Sequence, residues 1–319
     1  MYGDHMRAVT SSHGQVEVKD HPEPDGDGVL ITVTSAGICG SDLHLIDAGI
    51  SGVVLGHEFG GFTPDGQLVA VRPTGECGTC PSCLSFASST CAEATSKAHG
   101  ISMDGGLAEK VLVEESRLFA VPAGIDPVAV GLVEPIAVVI HGINRVEPPS
   151  GSRAVVIGAG SIGLLAAAVL KDRGISVDIV ARHPHQFAAA EKMGIRALDK
   201  AESNYDFSFD AVCSQQSFDQ CISATRPRGV LLEFGMVWSP VALSNQFLMK
   251  EITIIPSIYY SHDHQHTDFK EAVDFLARHP FITSALVTHQ FSLDNAVEAF
   301  SVAKNRQSGA IKVHITSIL

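Results

Sequence analysis

Four cysteines crowd into "CGTCPSCLSFASSTC" (77–91), where Cys77, Cys80, Cys83 and Cys91 have the spacing C-x2-C-x2-C-x7-C. Gly78 and Pro81 allow the tight turns that bring the sulfurs together. Four thiolates at about 2.3 Å form a closed tetrahedral zinc site without an open position, which makes such a site structural. A reduced metal-free loop or a redox switch is the competing reading. Cys213 and Cys221 lie far from this loop and read as buried, inert thiols.

A second ligand set is spread over "AGICGSDLH" (36–44), "GHE" (56–58) and "VEPIAVVIHG" (133–142). A catalytic zinc needs three protein ligands and one position for water or substrate. Cys39 and His57 with either Glu134 or Glu58 supply such a set. Asp42 could take the second ring proton of His57 and fix its tautomer. Ser41 offers a hydroxyl beside the open position, and His44 a route for its proton to solvent. Singly, "GHE" could be a turn with a satisfied histidine, and Glu134 could cap the helix "PIAVVIHGI".

These loops need a scaffold, and the middle of the chain supplies one. "SRAVVIGAGSIGLLAAAVLKDRG" (152–174) reads as a β-branched strand, a G-x-G-x-x-G turn and an apolar helix. Gly158 and Gly160 permit a close approach of pyrophosphate, Ser161 and Ile162 open the helix, and Gly163 lets it sit near the strand. Free N–H groups at the helix start would meet the phosphates. Strand-like runs "SVDIV" (176–180), "FDAVCS" (209–214), "GVLLEFG" (229–235) and "ITIIPS" (252–257) alternate with helical segments, which predicts a doubly wound parallel sheet. At the tip of the second strand, where an acid would bind the adenosine ribose, stand Ala181, Arg182 and His183. An acid would repel a 2′-phosphate and arginine can grip it, so NADP(H) is favoured over NAD(H). Alternatively Arg182 stacks on the adenine and leaves the choice open.

The 319 residues suffice for two domains, and 45% apolar with 18% charged residues is an ordinary globular composition. The formal charge of −13 without a basic run makes nucleic acid and anionic membrane poor partners. No uninterrupted apolar run approaches the ~18 residues of a membrane span. "MYGDHM" lacks the character of a secretory signal and reads as a remnant ahead of a native start near Met6. A cytoplasmic location with reduced thiols is expected. The tract "SHDHQHTDF" (261–269) suggests metal storage by composition only, against an exposed polar loop.

Together, "CGSDLH", "GHE", the four-cysteine loop, "EP" before a helix, "GAGSIG" and the terminal "FSLDNAVEAFSVAKNRQSGAIKVHI" resemble the zinc-dependent medium-chain alcohol dehydrogenase family, from about Met6 to Ile315. The resemblance implies a Rossmann doubly wound domain inserted in a GroES-like, mainly β catalytic domain. The expected boundaries are 1–147 for the GroES-like domain with a zinc lobe at 75–93, 148–282 for the Rossmann domain, and 283–319 for a return to the first. By position, Cys39, His57 and Glu134 match catalytic zinc ligands, with Glu58 a nearby or transient one. Ser41 and His44 match the proton relay, and the four clustered cysteines match the structural zinc. Two zinc ions per chain are thereby implied.

Three departures stand out. Glu134 stands where many alcohol-active members have cysteine, which resembles the polyol, sugar and threonine dehydrogenase branches. The segment between His57 and Cys77 is about ten residues shorter than usual. The stretch from His44 to Gly56, which normally lines the substrate cleft, is brief. The implied reaction is hydride transfer between an alcohol or ketone, preferably secondary, and NADP(H). A polyol, sugar or threonine-type substrate is the alternative, and a non-catalytic redox sensor the reading from another class. Relatives form a homodimer or homotetramer through the Rossmann sheet edge.

Overall fold

The structure, a computed structural model, describes residues 5–261 and 267–317. Residues 1–4 of the N-terminal stretch and 262–266 of the histidine-rich tract lie outside the described residues. Two compact units emerge: residues 1–134 with 261–319, and residues 135–260.

The first unit is mainly β. A hairpin pairs β1 (His5–Ser12) with β2 (Gln15–Pro22). The main sheet contains β3 (Val29–Gly37), β4 (Glu58–Phe62), β5 (Leu68–Val71), β6 (Lys110–Val113) and β7 (Leu118–Ala120). Near the chain's end β14 (Val287–Phe291) and β15 (Lys312–Thr316) join it, giving the order β14-β15-β3-β4-β5-β7 with β6 also paired to β3. Ile31, Val33, Phe59, Val69, Val71, Leu107, Phe300 and Val313 fill its core.

The central register does the most for chemistry. His314 on β15 pairs with Gly37 on β3, and Gly37 pairs with Glu58 on β4. Paired residues share a face of the sheet, and Lys312 lies two residues before His314, on that same face. A Cβ on Gly37 would collide with Glu58 Oε2 and come within 2.9 Å of Lys312 Cε. The absent side chain is what lets the two flanking side chains meet.

The second unit is a parallel sheet of β8 (Arg153–Ile157), β9 (Ser176–Val180), β10 (Arg196–Leu198), β11 (Tyr205–Asp210), β12 (Thr225–Glu233) and β13 (Thr253–Pro256). Its order, β10-β9-β8-β11-β12-β13, is the doubly wound arrangement of dinucleotide-binding folds. Strand β8 is buried at four successive positions, as expected for a parallel strand covered on both faces.

Several expectations need correction. The strand foreseen at 209–214 runs instead over 205–210, because Asp210 Oδ1 accepts the N–H groups of Val212 (2.9 Å) and Cys213 (3.0 Å) and turns the chain. The first unit ends at Glu134, inside the helix Val133–Val146, and not at 147. The rest of that helix packs in the second unit, where Gly142 lies against Phe234. The return to the first unit comes at Ser261 and not at 283. Helix Asp268–Arg278 packs on β7, with the Phe269 ring tilted against Phe119 at 4.8 Å between centroids, and Ser261 Oγ accepts the N–H of Ser89 (3.2 Å) beside the cysteine loop. Residues Pro127–Val146 are also long and apolar enough to cross a membrane, but 83% of that window is buried inside the protein.

Candidate active site

The four-cysteine loop closes on itself. Cys80 and Cys83 sulfurs lie 3.5 Å apart, Cys77 and Cys91 3.7 Å, and Cys77 and Cys83 3.9 Å. Sulfurs at the corners of a tetrahedron about 2.3 Å from zinc stand roughly 3.8 Å apart. The cage therefore has the right size for the ion, and no disulfide forms among the chain's cysteines. The N–H of Cys80 points at Cys77 Sγ (3.3 Å) and that of Glu93 at Cys91 Sγ (3.4 Å). Hydrogen bonds from the backbone of Thr79 and Cys80 lower the Cys77 thiol to about 6, which favours the thiolate a metal requires.

The second cluster is built from the central sheet and one short helix. Cys39 precedes helix Gly40–Asp47, and its N–H donates to Asp42 Oδ2 (2.9 Å). Asp42 Oδ1 in turn lies 3.0 Å from His57 Nδ1. That leaves Nε2 as the nitrogen available to a metal, the carboxylate–imidazole arrangement that orients a metal-binding histidine. Gly56 (φ +93°) makes the turn before His57, because a Cβ there would crowd Leu107. Burial works against a charged His57, yet Asp42 overrides it and holds the pKa well above the usual histidine value.

Ligand atoms of Cys39, His57 and Glu58 all lie within 4.8 Å of one another. Of the two carboxylates left open by the sequence, Glu58 thus completes the compact set. Glu134 stands outside that radius, buried at 6% exposure in the first turn of helix Val133–Val146. Desolvation, with Glu58 adding repulsion and His57 opposing, pushes Glu134 up to about 8. Ser41 Oγ lies 3.3 Å from His57 Nε2, beside the ligating atom. His44, one helical turn further on, is exposed. The relay order foreseen from sequence is therefore compatible with the helix, on which residues three apart are neighbours.

Sequence reasoning missed Lys312. Its ammonium pairs with Glu58 Oε2, and the two side chains are 2% and 1% exposed. A lysine in the apolar run "AIKVHI" was the available signal. His314 also enters the site region: its Nδ1 meets Ser35 Oγ (2.9 Å) and Val128 O (3.2 Å), and burial pushes it down to about 3.

In the second unit the glycine turn has the form a pyrophosphate needs. Gly158 adopts φ +102° against Val212, and Gly163 abuts Gly158 O, so a side chain at either would not fit. Gly160 caps helix Ser161–Asp172 without a side-chain bond, and space beside its Cα is open. Free N–H groups and an open cradle suit a dinucleotide phosphate. Ala181, Arg182 and His183 follow β9. Arg182 is exposed and donates to Gln216 Oε1 (3.0 Å), and His183 stacks on His185 at 5.4 Å.

Comparison with known proteins agrees with this geometry. Residues 25–123 match the alcohol dehydrogenase GroES-like domain, and residues 161–278 the zinc-binding dehydrogenase family. The chain is 30% identical to a sorbitol dehydrogenase of Halalkalibacterium halodurans, covering 97% of each chain. It is 28% identical to L-idonate 5-dehydrogenase (NAD(P)(+)) of Escherichia coli K12, covering 90% of this chain and 91% of that one. A zinc-binding dehydrogenase of Sinorhizobium meliloti 1021, solved bound to NADP, superposes with a TM-score of 0.88 at 25% identity over 98% of this chain and 99% of the other. Ligand set, glycine turn and relatives converge: the chain belongs to the zinc-dependent medium-chain dehydrogenase/reductase family and is an oxidoreductase.

Proposed function

We propose that the protein transfers a hydride between a secondary alcohol, or the corresponding ketone, and NADP(H). The observation that carries the reading is the convergence of Cys39, His57 and Glu58 beside the Ser41 hydroxyl. When bound there, zinc supplies a Lewis acid that eases loss of the alcohol proton near neutral pH. Cys39, His57 and Glu58 would hold it, and Asp42 orients His57. Glu134, its pKa raised by burial, is the second carboxylate that would be available to the ion once deprotonated. Ser41 takes the substrate proton and passes it toward His44 and solvent. The nicotinamide carries the redox chemistry, while the protein supplies position and field.

A polyol substrate is a specific second reading, favoured by Glu134 and by relatives named for sorbitol and L-idonate. Both compounds carry secondary hydroxyls, so the chemistry at the reacting carbon is the same. A second zinc in the cysteine cage makes two for these two sites. Arg182, with no carboxylate at the strand tip, favours the 2′-phosphate of NADP(H). Exposed Leu248 and Met249 next to edge strand β13 support association into a homodimer or homotetramer. Seven free cysteines suit a reducing cytoplasm.

Absorbance of reduced nicotinamide, followed with a panel of secondary alcohols, ketones and polyols and both cofactors, tests the reading. Turnover with at least one panel member, abolished by Cys39→Ser, supports it; no turnover with any member by a zinc-loaded protein overturns it.

A further inference from the structure

A third group of ligand-type side chains lies in the second unit. Asp210 ends β11 and Glu233 ends β12, and the two are register partners on adjacent parallel strands. Their side chains therefore stand side by side on one face, at 0% and 7% exposure. The turn after β11 brings Cys213 back over them. Cys213 holds a left-handed backbone (φ +61°), an uncommon conformation for a residue with a side chain. Gly235 accommodates it: a Cβ there would collide with Cys213 Sγ. One oxygen from each carboxylate and the sulfur lie within 4.8 Å of one another.

Such a cluster is costly unless something neutralises it. Among the described residues the donor acting on Glu233 is the Cys213 thiol itself, a weak one, and Asp210 Oδ2 is left without a partner. The Ser217 hydroxyl near Asp210 is engaged with Ser214. Among the described residues no lysine or arginine acts on either carboxylate. Burial, with repulsion from Asp210, pushes Glu233 up to about 7; burial raises Asp210 and Cys213 as well. A buried carboxylate pair without a cation is what isolated charges in an apolar interior avoid.

We infer that Asp210, Cys213 and Glu233 form a third metal site, which takes one zinc-class divalent cation. Two carboxylates and one thiolate are all zinc ligands, and three protein ligands leave the fourth position to water. The thiolate selects against magnesium and calcium, which prefer all-oxygen sets. Cys213, read from sequence as an inert thiol, becomes a ligand. Binding requires the three groups to lose their protons, so affinity rises with pH. The ion would clip the 211–213 turn to the exit of β12. Because Val212 of that turn rests against Gly158, the clip braces the glycine turn.

The test compares the zinc-loaded full chain with Cys213→Ser and Glu233→Leu, none of which touches Cys39, His57 or the cysteine cage. Elemental analysis after dialysis should find one zinc per chain more in the parent than in either variant, whatever the other sites hold. In a zinc titration followed by thermal unfolding, the parent should gain Tm and the variants stay flat at that step. Glu233→Gln keeps the shape if the leucine variant fails to fold, and without added metal it should melt above the parent because a buried unpaired carboxylate is gone. Equal zinc in parent and variants, with identical Tm responses, would overturn the inference and leave a pair of acids sharing a proton.

Discussion

Lys312 meets Glu58 across Gly37, in an ion pair with both side chains almost fully buried. Burial disfavours the ammonium, but Glu58 outweighs it and keeps the pKa above the usual lysine value. The pair fixes which oxygen of a candidate zinc ligand remains available, since Oε2 is committed to the lysine. It also ties the last strand of the chain to the site.

Lys312→Met should leave Glu58 charged and unpaired in the interior. Removing one partner of a buried pair costs about 3–5 kcal/mol. Urea unfolding of the zinc-loaded protein checks this, and a loss under about 1 kcal/mol would mean that zinc alone compensates Glu58. Lys312→Arg retains the charge and should lose less.

Cys80→Ser removes one corner of the sulfur cage. One zinc per chain should be lost together with much of the thermal stability, because a loop of this kind has no apolar core to hold it. Turnover per folded molecule should persist, since the cage has no open position for substrate. Zinc content, Tm and specific activity at a temperature below the new Tm distinguish the roles; full activity loss in a folded variant would move the cage into the chemistry.

Arg182→Ala should raise KM for NADPH at least ~10-fold, about 1.4 kcal/mol of binding, and leave KM for NADH nearly unchanged. A charge-assisted hydrogen bond to phosphate accounts for a loss of that size. Equal effects on the two cofactors would show that the guanidinium serves the adenine and not a 2′-phosphate.

What could be read in advance divides along physical lines. The cysteine cage and the glycine turn are local: every needed residue lies within a few positions, and spacing alone states the geometry. The pairing of Cys39 with His57 was also legible, because each sits in a short motif with its own turn chemistry. Lys312 was not, since its partner is reached only when β15 lies down beside β3, a long-range event that no local pattern records. The choice between Glu58 and Glu134 stays open in the sequence for the same reason. Strand β11 was misplaced because "FDAVCS" looks apolar, while the side chain of Asp210 captures two backbone N–H groups and ends the strand early. Domain edges were missed where the helix Val133–Val146 serves both units.

Ser41→Ala should lower turnover by roughly 10²-fold or more if the hydroxyl carries the proton, the usual scale of general acid–base contributions. Its position 3.3 Å from His57 Nε2 makes it the nearest hydroxyl to the ligating atom among the contacts of that ring. Cofactor affinity, read by fluorescence of the bound reduced nicotinamide, should not change. Unaltered turnover would remove Ser41 from the relay.

The sheet of the second unit offers a pH-dependent check independent of any metal. Asp178 is partly buried, which alone would raise its pKa, but Arg196 (2.7 and 2.8 Å) and the Tyr205 hydroxyl (2.6 Å) outweigh burial and lower it. A carboxylate with a depressed folded-state pKa stabilises above its unfolded value of about 3.9, and that contribution disappears as pH falls through the folded-state value. Asp178→Asn should therefore cost about 1–2 kcal/mol at pH 7, the scale of charge-assisted hydrogen bonds. The gap between parent and variant should stay constant down to about pH 5 and narrow below about pH 4. Urea unfolding along that pH series measures it, and a gap that widens on acidification would reverse the sign and show that burial, not Arg196, sets the titration of Asp178.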